Sequence, residues 1–184
     1  MKIIFLDIDG VLNCETAFKK GFCKYVDWVD KEKKDYHMSF YPPAKDLLNK
    51  LINETDAKIV ISSTWRGNGL QFMQNVWKQE QMLGEIIDIT PHLYLKDNSS
   101  APRGCEIKRW LENKGFRHIN WSKKEQQKYI KQSGIESYVI IDDDSDMLLQ
   151  QKDYFVHVLP SPRNKNGFTE KHFKQAIKIL NKTF

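Results

Sequence analysis

The 184-residue sequence has few cysteines and no long apolar run. Its three cysteines, Cys14, Cys23 and Cys105, are odd in number and lack the spacing of metal ligands, which predicts reduced thiols. No segment reaches the roughly 20 apolar residues of a membrane-spanning helix. The first residues enter an apolar segment without the pattern of a signal peptide, and neither repeats nor low-complexity runs occur. We therefore expect a cytoplasmic protein with no membrane contact.

The composition fits one globular domain that covers residues 1–184. The chain is 40% hydrophobic and 29% charged, and it is long enough to bury a sizeable core. Its formal net charge of +5 suits an anionic partner, such as a phosphate ester or a nucleic acid. Many basic proteins bind no nucleic acid, so the charge by itself does not decide between these partners.

Apolar strand-like segments alternate with amphipathic helical patterns, which predicts a parallel α/β sheet with helices on both faces. Residues 13–41 are polar and aromatic without clear periodicity, and we interpret them as a flap or minimal cap over the end of the first strand. Residues 67–69 read as a loop. Strands are predicted at 3–6, 58–61, 85–90, 138–141 and 154–158, and helices from Pro42, over 70–83 with Leu83 inward, over 103–113, from a capped start at 121–125, and over 169–181.

The first strand ends in two acids, Asp7 and Asp9, followed by Gly10. Residues two apart on a strand point the same way, so the two carboxylates would repel each other. A bound cation would hold both in the ionised form. Gly10 supplies the backbone freedom for a turn just past them.

Two other predicted strands also end in polar side chains. Ligands of parallel α/β folds bind at the carboxyl ends of the strands, so these groups are expected to converge there. The groups are Asp7 and Asp9 after the first strand, Ser62, Ser63 and Thr64 after the second, and Asp142, Asp143 and Asp146 after the fourth.

The segment FLDIDGVLN resembles the first signature, hhhDxDG, of the haloacid dehalogenase (HAD) superfamily. The resemblance implies a Rossmann-like fold. In the phosphatase branch the first aspartate is the nucleophile and the second the general acid/base, which implies these roles for Asp7 and Asp9. The motifs DxDGV, SSTWR, RGxEIxxWL and IIDDDSDM together are similar to the HAD domains of bacterial and phage RNA-repair proteins.

The second and third HAD signatures have candidate matches in this sequence. IVISSTWR resembles the second, which implies that Ser62, with Ser63 as the second choice, hydrogen-bonds a phosphoryl oxygen. PRGCEI resembles the third with Arg103 in place of the usual lysine, and Lys108, one helical turn on, is the competing cation. Either side chain would contact the phosphate.

IIDDDSD resembles the fourth signature, which contributes a metal ligand. Asp143 aligns best with that ligand, while Asp142 and Asp146 are supporting candidates. The implied ion is Mg²⁺, since hard oxygen ligands and phosphate suit it. Its other expected ligands are an Asp7 oxygen and the Asp9 backbone carbonyl.

Together these patterns predict a Mg²⁺-dependent phosphatase that forms an aspartyl-phosphate intermediate. The predicted substrate is a phosphate monoester, with a nucleotide or a nucleic-acid terminal phosphate as the candidates. Two alternatives remain: a phospho-receiver-like signalling domain and a catalytically inactive HAD-like binding module. A receiver would hold its phosphate, whereas a phosphatase would release it repeatedly.

Overall fold

The computed structural model describes residues 1–27, 36–117 and 123–182 and shows an α/β fold. The strands, in chain order, are β1 (Lys2–Leu6), β2 (Tyr25–Asp27), β3 (Tyr36–Met38), β4 (Lys58–Ile61), β5 (Ile86–Ile89), β6 (Ser137–Asp142) and β7 (Phe155–His157). The helices are α1 (Glu15–Lys19), α2 (Pro42–Thr55), α3 (Leu70–Gln79), α4 (Arg103–Asn113), α5 (Lys123–Ser133) and α6 (Glu170–Leu180).

Five parallel strands form the main sheet in the order β5-β4-β1-β6-β7, with β1 at the centre. The strand order reverses direction at β1, so β4 and β6 flank it. This arrangement confirms the predicted Rossmann-like class. It also brings the carboxyl ends of β1, β4 and β6 side by side, at the position where such folds bind ligands.

Both faces of β1 are buried because its side chains alternate between two apolar cores. Ile4 and Leu6 belong to the core that contains residues of α2, α3 and α6. Ile3 and Phe5 belong to the core on the other face, together with residues of α4. Helices on both faces were predicted from the sequence, and the two cores confirm them.

The segment after β1 forms α1 and a two-stranded antiparallel sheet of β2 and β3, outside the main sheet. Its end is held by the buried carboxylate of Glu80, just past α3. Glu80 Oε1 lies 2.9 Å from His37 Nε2, and Glu80 Oε2 accepts a hydrogen bond from the Phe40 amide at 3.3 Å. These contacts tie the predicted flap to the body of the protein.

Some local predictions were wrong. The third helix ends at Gln79 rather than at residue 83, since Gln81 adopts a left-handed φ of 55° that stops a helix. As a result Leu83 is 48% exposed instead of buried. The predicted loop over 67–69 begins inside a 3-10 helix, Thr64–Asn68.

The predicted capped start at residues 121–122 lies outside the described residues. No helix in the described ranges combines the length and the apolar character needed to cross a bilayer.

Candidate active site

Asp7 sits directly past β1, where its own backbone continues the sheet. Its amide donates a hydrogen bond to Ile141 O of the neighbouring strand β6 at 3.0 Å. The residue is only 5% exposed, so its carboxylate lies at the buried carboxyl edge of the sheet. Burial there follows from the apolar run Ile3–Leu6, which places β1 in the centre of the molecule.

Two acids at the carboxyl end of β6, its last residue and the next one, approach Asp7. Asp7, Asp142 and Asp143 each offer a carboxylate oxygen, and these three oxygens lie within 4.8 Å of one another. The turn past β6 is closed by a hydrogen bond from the Asp144 amide to Asp142 Oδ1 at 2.9 Å. Gly10 makes the approach possible, because a Cβ at this position, where φ is 76°, would overlap the Asp143 carboxylate. The predicted convergence of β1 and β6 is therefore observed.

The electrostatics of this cluster are unfavourable without a cation. Burial raises the pKa of Asp7 to about 7, although Arg103 and the Ser63 hydroxyl oppose the rise. Burial, followed by the charge of Asp7, raises the pKa of Asp142 to about 8. The pKa of Asp143 is raised for the same first reason. Like charges in a desolvated site resist ionisation together, and a divalent cation would reverse that effect.

The cluster fits a divalent cation in one further respect. Among the described residues, Asp142 Oδ2 is buried and has no hydrogen-bond partner. Its nearest cation is Arg103, whose Nε lies 3.7 Å away. Buried carboxylate oxygens are normally hydrogen-bonded or bound to a metal. An all-oxygen donor set of this kind suits Mg²⁺.

Asp9 occupies a different environment from Asp7, although the two residues share a short segment. Its side chain is exposed, and it accepts hydrogen bonds from Trp65 Nε1 at 2.9 Å and from Asn13 Nδ2 at 3.4 Å. These donors orient the carboxylate beside the cluster without burying it. An accessible, oriented carboxyl group is what a general acid/base requires.

The two serine candidates after β4 have different surroundings. The Ser63 hydroxyl hydrogen-bonds Asp7, and it accepts from the Trp65 amide at 3.4 Å. The Ser62 hydroxyl is buried without a hydrogen-bond partner in the described part of the chain. The structure thus brings Ser63, the second choice of the sequence analysis, to the nucleophile candidate. The phosphate contact of either hydroxyl stays a prediction.

The structure also distinguishes between the two side chains predicted to supply the phosphate-binding cation. Arg103, the first residue of α4, reaches the cluster and donates from Nη1 to Ser62 O at 2.5 Å. Lys108 instead forms an ion pair with Glu112 one turn further along α4. The geometry therefore favours Arg103 as the phosphate ligand.

Asp146 is the third acid that the sequence offered as a metal ligand. Its carboxylate accepts a hydrogen bond from the Arg103 amide at 2.6 Å, so it caps the start of α4. It is not one of the three acids whose oxygens cluster within 4.8 Å. Asp146 therefore holds the helix that carries Arg103, and direct metal ligation by Asp146 stays a prediction.

Sequence reasoning assigned no role to several residues that shape the site. Trp65 and Asn13 bind Asp9, and His157 donates from Nε2 to Asp143 O at 3.0 Å, since a carbonyl can only accept. Arg66 donates to Ser63 O at 2.7 Å and pairs with Glu106 at 2.5 Å. The motif SSTWR, which contains Trp65 and Arg66, was the only sequence signal for these two residues.

A central parallel sheet with acids at the ends of β1 and β6 is the arrangement that the HAD resemblance predicts. The family model for the HAD domain in Swiss Army Knife RNA repair proteins matches residues 3–123, which is more than half of the 184 residues. The chain belongs to this family, and the resemblance read from the sequence is confirmed. No curated protein matches the chain.

The matched span ends before β6 begins. Asp142 and Asp143 therefore lie outside residues 3–123, and their place in the site rests on their proximity to Asp7. The family match and the carboxylate geometry are thus two separate observations about the same site.

Proposed function

We propose that this protein is a Mg²⁺-dependent phosphatase that hydrolyses phosphate monoesters through an aspartyl phosphate on Asp7. The observation that carries the proposal is the group formed by buried Asp7, buried Asp142 and half-buried Asp143, with oxygens within 4.8 Å of one another. A buried cluster of one charge is costly unless a ligand of opposite charge belongs there.

These three carboxylates would hold Mg²⁺, with the Asp9 backbone carbonyl as a further candidate ligand. When bound, the ion supplies positive charge that neutralises the phosphoryl oxygens and the carboxylates around it. The buried Asp142 Oδ2, which has no hydrogen-bond partner among the described residues, supports this assignment.

The protein's own residues account for both halves of the reaction. An Asp7 oxygen attacks phosphorus, the bond from phosphorus to the ester oxygen breaks, and Asp9 gives its proton to that leaving oxygen. Asp9 then takes a proton from a water molecule that attacks the phosphorus of the aspartyl phosphate. Inorganic phosphate leaves and the Asp7 carboxylate is restored. Ser63 and Arg103 would bind the phosphoryl oxygens, which their proximity to Asp7 and Asp142 supports.

The substrate we propose is a nucleotide or the terminal phosphate of a nucleic acid. The net charge of +5 favours an anionic substrate. The family is described by its occurrence in RNA repair proteins, which supports a nucleic-acid end. All three cysteines are free, which supports the proposed cytoplasmic location.

Asp7→Asn tests the proposal directly. We expect it to lower kcat for p-nitrophenyl phosphate by about a thousandfold or more, because the amide is a poor nucleophile. The matched control is Asp46→Asn, the same substitution at an exposed position on α2, which should retain full activity. Removal of Mg²⁺ with a chelator should stop the wild-type enzyme. Activity that survives Asp7→Asn would exclude Asp7 as the nucleophile, and activity that survives chelation would exclude the metal.

A further inference from the structure

A cavity lies between the end of β7 and the start of α6, on the strand next to the acidic cluster. It has a volume of about 230 Å³, and its lining includes His157, Arg163, Lys171 and His172. His157 pairs with Asp142 across β6 and β7 and donates to Asp143 O at 3.0 Å. Neighbouring strands are about 4.8 Å apart, so the backbone of His157, which lines the cavity, is one strand spacing from the backbone of Asp142.

The charge of the cavity is the opposite of that of the cluster. No acidic residue lines it. Arg163 and Lys171 are exposed, and neither forms an ion pair within the described ranges. Burial lowers the pKa of His172, so this imidazole acts as a neutral polar wall at neutral pH. Two unpaired cations in a concave site favour an anionic ligand.

The walls of the cavity are fixed by hydrogen bonds. The Arg163 amide donates to Pro160 O at 3.1 Å, and Asn164 Nδ2 donates to Gly167 O at 2.8 Å. The Thr169 amide donates to His172 Nδ1 at 3.1 Å, which closes the first turn of α6. The backbone of the walls is therefore held in place before a ligand binds, which lowers the ordering cost of binding.

We propose that this cavity binds a second phosphate of the substrate, the phosphodiester next to the terminal phosphate of a nucleic-acid strand. Arg163 and Lys171 would contact the phosphodiester oxygens while the terminal phosphate lies at Asp7. The inference rests on the proposed function and narrows it, because a strand end carries this second phosphate and a nucleoside monophosphate does not.

The test compares two substrates in three proteins. The substrates are p-nitrophenyl phosphate, which has one phosphate, and a short oligonucleotide with a terminal phosphate. The proteins are the wild type, the cavity variant Arg163→Gln/Lys171→Gln, and the control variant Lys174→Gln/Lys178→Gln. The control removes the same charge from exposed positions of α6 that do not line the cavity.

We expect the cavity variant to lose about tenfold or more in kcat/KM for the oligonucleotide. Its kcat/KM for p-nitrophenyl phosphate should change less than about twofold, because that substrate does not reach the cavity. The control variant should lose less than about threefold on the oligonucleotide, as expected for long-range charge alone. The salt dependence of oligonucleotide hydrolysis should also be weaker in the cavity variant than in the control.

A binding measurement separates this inference from the proposed function. Fluorescence anisotropy of the labelled oligonucleotide on Asp7→Asn protein should show about tenfold weaker binding when the cavity substitutions are added. Equal losses in the cavity and control variants, or equal losses on both substrates, would overturn the cavity assignment while the phosphatase proposal stands. If the wild type hydrolyses neither substrate, the phosphatase proposal is overturned. The anisotropy measurement alone would then test whether the cavity binds the phosphodiester.

Discussion

Two groups of charges, all buried except half-buried Asp143, lie at the carboxyl edge of the sheet, and they differ in how their charges are balanced. In the first, Arg66 and Glu106 neutralise each other at 2.5 Å and are 6% and 3% exposed. Glu106 Oε1 also accepts from the Leu93 amide at 3.1 Å, and Arg66 Nη1 donates to Ser63 O at 2.7 Å. The two charges of this pair cancel within the chain, although Arg66 Nε is buried and has no hydrogen-bond partner among the described residues.

The second group, Asp7, Asp142 and Asp143, contains three acids and leaves an Asp142 oxygen without a hydrogen-bond partner among the described residues. Its neighbouring cation, Arg103, also donates to Ser62 O. Burial and mutual repulsion therefore raise the pKa values of these acids. The difference indicates that the first group supports the fold and that the second is built for a ligand.

The largest effect is expected from breaking the balanced pair. Glu106→Gln keeps the shape of the side chain but leaves Arg66 buried without a countercharge, so we expect a loss of about 3 kcal/mol in the free energy of unfolding. Urea denaturation measures this loss, which should be similar with and without Mg²⁺. Glu112→Gln on the same helix, in the exposed pair with Lys108, is the control and should cost less than about 0.5 kcal/mol. An equal loss in the free energy of unfolding for the two variants would contradict the claim that the buried pair stabilises the fold.

The unbalanced group should respond in the opposite direction. Asp142→Asn removes one of the repelling charges and retains an oxygen that can accept from the Asp144 amide. We expect the metal-free variant to be more stable than the wild type at pH 8, by about 1–2 kcal/mol. Asp46→Asn, at an exposed position, should show no such gain.

The pH dependence of the metal-free wild type follows from the same shifts. The folded-state pKa values of Asp7 and Asp142, about 7 and about 8, lie above the ordinary aspartate value of 3.8. The folded protein therefore holds more protons than the unfolded chain between about pH 4 and 8, and its stability falls as pH rises through that window. Urea denaturation with a chelator at pH 5 and pH 8 measures this. A wild type that is equally stable at both values, or a destabilised Asp142→Asn, would contradict the account.

A smaller effect, on kcat, is expected from disturbing Asp9, which is exposed and held by Trp65. Trp65→Phe removes the indole donor to Asp9 and keeps an aromatic ring against Phe40. We expect kcat to fall about tenfold for an alkyl phosphate, whose leaving oxygen needs a proton, and less than about threefold for p-nitrophenyl phosphate. Trp77→Phe, whose indole donates to Leu83 O, is the control and should leave the ratio of the two rates unchanged. Equal losses on both substrates would exclude a role in positioning Asp9.

The main features of the fold were predictable because they depend on local patterns. The apolar runs that form β1, β4 and β6 alternate with amphipathic helices, and each of these runs ends in the polar residues expected at the site. The carboxyl ends of parallel strands share one edge of the sheet, so the approach of Asp7 and Asp143 followed from the topology.

The choice between neighbouring candidates depended on three-dimensional detail. A shift of one residue past a strand turns a side chain to the other face, so the sequence could not decide between Ser62 and Ser63. The turn closed by Asp144 determines which acids reach Asp7, and a turn of this kind has no strong sequence signature. Trp65 was not identified because it is 56 residues from Asp9, its partner.

A Mg²⁺ titration by calorimetry tests the central claim most directly, using the wild type and the variants Asp142→Asn, Asp143→Asn and Asp146→Asn. The account predicts one ion per chain in the wild type, binding that is about tenfold or more weaker in the first two variants, and affinity within about threefold of wild type in Asp146→Asn. Absence of binding to the wild type, or a loss confined to Asp146→Asn, would contradict it.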